Sequence, residues 1–148
     1  MNRLQPRIPT ASALGVCQLL ILLLHFISDF TLQGILGNLK WKTWWMNECN
    51  RMEKEKTLEW GSADAMFHKY RFDYICGMAC HCLYWTIFTF APIIWTMTSN
   101  WQIVVLVFAN AAFHYWVDDM KANRWRLNLC QDQMLHIVQI TVTFFVCI

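Results

Sequence analysis

The run LGVCQLLILLLHFISDFTL, residues 14–32, carries a single charged side chain, Asp29. As a helix it is long enough to cross about 30 Å of hydrocarbon, which takes roughly 20 residues. Its second half nevertheless holds both His25 and Asp29. An aspartate at the centre of a membrane helix costs about 2.5–3.5 kcal/mol on insertion scales. Ionisable groups in such a place face protein or water and mark a functional site.

Three further runs read the same way. Tyr74 to Thr98, Trp101 to Val117 and Met134 to Ile148 hold no Asp, Glu, Lys or Arg. With 57% hydrophobic and 15% charged residues in 148, the chain fits one domain whose apolar residues are blocked rather than scattered. The predicted fold is all-α: an integral-membrane four-helix bundle, one membrane domain over residues 1–148. Its spans are expected near residues 14–33, 74–98, 101–119 and 131–148. No A-x-A cleavage site follows the first run, so it is expected to be retained rather than removed as a signal peptide.

Ten of the twelve basic residues fall in the two long connections: seven between Gly34 and Asp73, and Lys121, Arg124 and Arg126 between the third and fourth spans. The positive-inside rule puts both connections in the cytoplasm and both termini outside. Acidic residues balance the long connection, so no nucleic-acid surface is indicated.

Residues 34–73 form the one large segment outside the spans. Leu39, Trp41, Trp44, Trp45, Cys49 and Met52 recur there at near-helical spacing, with Lys40, Lys42, Glu48, Arg51 and Lys54 between them. That pattern predicts an amphipathic helix, either in the headgroup plane with Trp41, Trp44 and Trp45 at the membrane interface, or packed on the cytoplasmic end of the bundle. Ser62 or Asp64 should cap a short helix leading into the second span. Pro92 should kink that span near its outer end. Trp95 and Trp101 flank the outer turn at Thr98-Ser99-Asn100, as an aromatic belt would.

Each span contributes one histidine, and three of the four have an aspartate four residues away: His25/Asp29, His114/Asp118 and Asp132/His136, with His81 alone. Residues i and i+4 share a helix face. Late in an inward span and early in an outward one are the same depth, the cytoplasmic third of the bilayer. Four imidazoles and three carboxylates should therefore meet inside the bundle, as ligands do in di-metal carboxylate bundles. This nitrogen/oxygen set suits one or two divalent transition ions (Zn, Mn or Fe) rather than calcium. His25, Asp29, His81, His114, Asp118, Asp132 and His136 are the candidate ligands, and Asp29 and Asp118 the candidate catalytic carboxylates. Gln33, Asn110, Lys121 and Gln133 are expected to orient ligands or bond an oxyanion. The same residues could instead form structural hydrogen bonds or a proton path. His68 reads as a surface residue. Cys76 and Cys80 read as buried inert thiols.

The set H-x3-D-F-x2-Q (His25 to Gln33), His81, H-x3-D with Lys121 (His114 to Lys121), and D-Q-x2-H (Asp132 to His136) resembles a four-span membrane family of bacteria and their phages, catalogued as a domain of unknown function. The likeness runs from about Leu19 to Gln139 and implies a shared membrane architecture without an assigned activity. A looser likeness is to membrane-bound metal-dependent hydrolases. The leading expectation is a hydrolase acting on a lipid or lipid-linked substrate at the cytoplasmic leaflet. The alternatives are a non-enzymatic, phage-encoded membrane module, homo-oligomeric or docking a membrane protein through its Trp-rich segment, and a proton or ion conductor.

Overall fold

A computed structural model describes residues 11–56, 61–97 and 99–147. The N-terminal segment with Arg3 and Arg7, residues 57–60 within the long connection, and Thr98 of the expected outer turn lie outside the described residues. Every regular element among the described residues is helical. In chain order these are α1 (Ala11–Phe26), a π-helical turn (Ile27–Thr31), α2 (Gly34–Leu39), α3 (Lys42–Lys54) and α4 (Ala63–Lys69). They continue with α5 (Asp73–Thr89), α6 (Ala91–Thr96), α7 (Asn100–Ala122) and α8 (Leu129–Cys147).

The long helices follow the apolar runs, with three departures that have local causes. The first run stays helical but widens at its end, where the Leu32 amide donates to the Ile27 carbonyl at 2.9 Å. This i→i+5 bond belongs to a π-helix, a rare element found often at functional sites. The second run is broken. α5 stops at Thr89, Phe90 leaves helical geometry, and Pro92 sits in the first turn of α6, where its missing N–H costs nothing. The long connection holds three helices among the described residues, one more than expected: a positive φ of 50° at Gly34 turns the chain into α2, and Trp41, in extended conformation, separates α2 from α3. The Ser62 hydroxyl accepts from the Ala65 amide at 3.3 Å and caps α4.

α1 packs on α5 and α8, and α7 packs on the same two helices. The four therefore form a ring with α1 diagonal to α7. Ile21, Trp85, Phe90, Ile93, Leu106, Ile140 and Phe144 make the apolar core toward the α6 end. A second core, of Met78, Cys82, Ala111 and Ala122, lies toward the α2 end with Trp41 against it. α2 lies tightly on α5: a Cβ at Gly77 would sit 2.7 Å from the Leu39 carbonyl oxygen, so only glycine admits this approach.

Among the described residues, thirteen polar or charged residues are buried beside the two apolar cores, including four histidines and three aspartates. Large apolar side chains such as Leu19, Leu23, Ile87, Val105, Phe108, Val138 and Phe145 are exposed on all four long helices. Two helical stretches, Ser12–Thr31 and Asn100–Ala122, are long and apolar enough to cross a membrane by length and composition. α8 has the length, at 19 residues, but carries Gln131, Asp132, Gln133, His136 and Gln139.

Candidate metal centre

The seven histidines and aspartates singled out from the spans meet in one cage. His25, His81, His114, Asp132 and His136 are completely buried, Asp118 and Asp29 nearly so. They come from the end of α1 and its π turn, the middle of α5, the end of α7 and the start of α8. Neighbouring helices must therefore run antiparallel.

Asp118 is the hub. Its Oδ1 lies 3.2 Å from His136 Nε2, and its Oδ2 lies 3.2 Å from His81 Nε2 and 3.8 Å from His114 Nε2. His114 stands between two other imidazoles: its Nε2 is 3.2 Å from His81 Nε2 and its Nδ1 is 3.2 Å from His136 Nδ1. A neutral imidazole has one donor and one acceptor nitrogen, so a chain of N–H···N bonds can run through all three rings. Trp85 seals this layer on the α6 side. Its ring stacks on His114 with centroids 3.9 Å apart, and its indole N–H donates to His25 Nδ1 at 3.0 Å.

The i,i+4 spacing shows each pair on one face, but the members of a pair bond mainly to other helices. His25 Nε2 meets Gln133 Oε1 at 3.1 Å. Asp29 accepts from Gln33 Nε2 and Gln133 Nε2, both at 2.7 Å. Asp132 Oδ2 accepts from Lys121 Nζ at 2.6 Å and from Gln133 Nε2 at 3.1 Å. Its Oδ1 is 3.5 Å from His136 Nε2 and has no hydrogen-bond partner. Gln33, Lys121 and Gln133 thus donate to the carboxylates of Asp29 and Asp132. Asn110 does not reach the cage. It accepts from Gln139 Nε2 at 3.0 Å and Thr143 Oγ1 at 2.8 Å in a separate network toward the α6 end.

Two trios can each offer one ligand atom with all three atoms within 4.8 Å of one another: Asp29, His81 and His114; and His114, Asp118 and His136. The donor chemistry fits a transition ion. Tetrahedral coordination at 2.0–2.1 Å separates ligand atoms by about 3.3–3.4 Å. His81 Nε2, His114 Nε2 and Asp118 Oδ2 form a triangle with edges of 3.2, 3.2 and 3.8 Å, close to one face of such a tetrahedron. Asp29 Oδ1 lies 4.0 Å from His81 Nε2, on the next edge. His81 Nδ1 is buried with no partner, which ordinarily costs about 1–3 kcal/mol.

One residue of the cage was not anticipated. Lys40, read as part of the polar face of an amphipathic helix, is buried and ion-pairs with Asp118 Oδ2 at 2.6 Å. Its Nζ is also 3.3 Å from His81 Nε2. Burial disfavours the charged amine, but the Asp118 carboxylate and its hydrogen bond, with Asp29 and Asp132 behind, more than offset this and raise its pKa above the usual lysine value. The available sequence signal was local: Lys40 lies between Leu39 and Trp41 and follows Gly34 and Gly37, a stretch that can turn back onto the bundle.

Trp41, Trp44 and Trp45 are half-buried rather than free at the surface. Trp45 Nε1 donates to the Leu39 carbonyl at 2.9 Å, and Trp41 packs edge-on to Trp125, with centroids 6.1 Å apart. His68 is exposed, with Arg71 beside it. Cys76 and Cys80 are exposed, not buried; they occupy the face of α5 turned away from His81.

An all-α protein with a buried His/Asp cage able to hold a metal ion is the class that fold and site define. No family model, no curated protein and no solved structure matches the chain.

Proposed function

We propose that the chain is a four-span integral-membrane protein of the bacterial inner membrane. Its cage holds one or two divalent transition ions (Zn, Mn or Fe) and hydrolyses a lipid or lipid-linked substrate at the cytoplasmic leaflet. The observation that carries this reading is the convergence of four buried imidazoles and three carboxylates, from four helices, at ligand-to-ligand distances. The exposed apolar faces of α1, α5, α7 and α8 support four spans, since polar groups in a bilayer turn inward and apolar side chains meet lipid. The motif likeness to the four-span family of unknown function fits the same reading.

A bound divalent ion would bring the pKa of a water on it toward 7 and so supply hydroxide at neutral pH. The protein's part is orientation. Gln33 and Gln133 fix both oxygens of Asp29, which makes it the best-held candidate base. Phe26, Phe30, Leu32 and Ile35, which flank it along the chain, are exposed and would offer an apolar approach to an acyl or polyprenyl chain.

Two features disfavour the alternatives. The apolar layer of Ile21, Trp85, Phe90, Leu106 and Ile140 stands between the cage and the α6 end, against conduction. Trp41 and Trp45 engage the protein itself, against a free docking helix. The test is release of water-soluble headgroup from labelled phospholipid or polyprenyl diphosphate in zinc-loaded proteoliposomes. Turnover is expected with one of the two substrate classes, and Asp29→Asn should abolish it. Absence of turnover with both classes, or an active Asp29→Asn protein, counts against the proposal.

A further inference from the structure

Lys40 is the most unusual group in the fold: a lysine from outside the four long helices, carried into their centre. The positioning is elaborate. Gly77 gives α2 the close approach that a Cβ would forbid. The carbonyls on either side are tied down: Leu39 by the Trp45 indole at 2.9 Å, and Lys40 by Asn123 Nδ2 at 3.2 Å. Asn123 Oδ1 also accepts from the Lys42 amide at 2.9 Å. The backbone is thus clamped on both sides of Lys40, and its four-carbon side chain is left to point inward.

The ammonium touches the atoms a metal would need. It lies 2.6 Å from Asp118 Oδ2 and 3.3 Å from His81 Nε2, two corners of the triangle described above. A lysine that merely supported a ligating carboxylate would sit on its spare oxygen, but Oδ1 is taken by His136. Charge points the same way. A divalent ion added beside Lys40 would put two cations a few ångströms apart in low dielectric. Exchange of Lys40 for the ion removes that repulsion and leaves the Asp118 carboxylate paired.

We propose that Lys40 is the tethered occupant of the metal position: its ammonium closes the cage when no ion is bound and swings out toward the cytoplasmic surface when an ion enters. The inference rests on the metal-site reading above. It makes Lys40 a positioning residue that keeps the ligands gathered without metal and sets the threshold for loading.

The experiment is amine labelling of the intact protein in detergent, read peptide by peptide, with and without Zn²⁺, alongside the bound-zinc stoichiometry. Lys42, Lys54 and Lys56 are exposed and serve as internal standards. In metal-free protein Lys40 should stay unlabelled, and with zinc bound its labelling should rise to the level of Lys42. The companion variant, Lys40→Met, should bind Zn²⁺ at least about tenfold more tightly, because a charge-assisted hydrogen bond no longer competes. If zinc binds and Lys40 stays protected, or Lys40→Met binds no more tightly, the inference falls while the metal reading stands. If no zinc binds to either protein, both fall. The labelling arm uses the unaltered chain, so it decides the matter even if Lys40→Met does not fold.

Discussion

The Lys40–Asp118 pair offers the sharpest energetic test of the cage. Both side chains are almost wholly excluded from solvent and lie 2.6 Å apart. Removing one partner of such a pair leaves an uncompensated buried charge and costs about 3–5 kcal/mol, whereas removing both together can be close to neutral. Lys40→Met strands the Asp118 carboxylate, softened by His81 and His136 at 3.2 Å, so its loss should fall near 3 kcal/mol. Asp118→Asn strands the ammonium, whose one other close contact is His81 at 3.3 Å, so its loss should approach 5 kcal/mol. The double variant should lose no more than the worse single one, a coupling of at least about 3 kcal/mol, at the upper end of measured pair couplings. The assay is unfolding of chelator-treated protein by SDS in mixed micelles, followed by circular dichroism. Additive losses would refute the reasoning, because they would mean that the two groups do not depend on each other.

Gly77→Ala places a Cβ 2.7 Å from the Leu39 oxygen and 2.8 Å from Leu39 Cβ. The helix-propensity gain of about 1 kcal/mol should lose to an overpacking cost of about 1–3 kcal/mol, and Lys40 should become amine-reactive even without metal, as read by the same labelling. Trp85→Phe keeps a ring against His114 but removes the donor to His25 Nδ1. It should cost about 1–3 kcal/mol in the SDS titration. The raised pKa of Lys40 fixes a sign: its pairing contributes fully below pH 10.5, the ordinary lysine value, and is lost as pH rises through the higher folded value. Wild-type stability should therefore fall further above pH 10.5 than that of Lys40→Met, measured by unfolding across an alkaline series.

Much of this architecture was legible because a bilayer-length apolar run is a coarse signal, and because an Asp or His inside one has few places to go. The i,i+4 pairs and their common depth place His25, His81, His114, Asp118, Asp132 and His136 in one layer without any coordinates. What stayed hidden depends on tertiary approach. Gln33 and Gln133 stand out as polar residues near the ligands, but that both donate to Asp29, one across the π turn and one from α8, depends on a π turn and a cross-helix approach that period-3.6 reasoning does not see. Asn110 lies on the same stripe of α7 as His114, but one turn of rise carries it out of the cage to Gln139 and Thr143. Lys40 looked like an ordinary cation on an amphipathic helix. Only the Gly77 notch, a property of α5 and not of its own segment, brings it inside.

The central claim is that these seven side chains form an ion-binding cage, and the elemental content of the protein tests it most directly. Material purified without chelator should contain about one or two equivalents of Zn, Mn or Fe per chain, and His114→Ala, which removes the imidazole common to both trios, should abolish that content while the protein remains helical. Freshly purified wild-type protein free of all three metals, and unable to take up added Zn²⁺, would contradict the account.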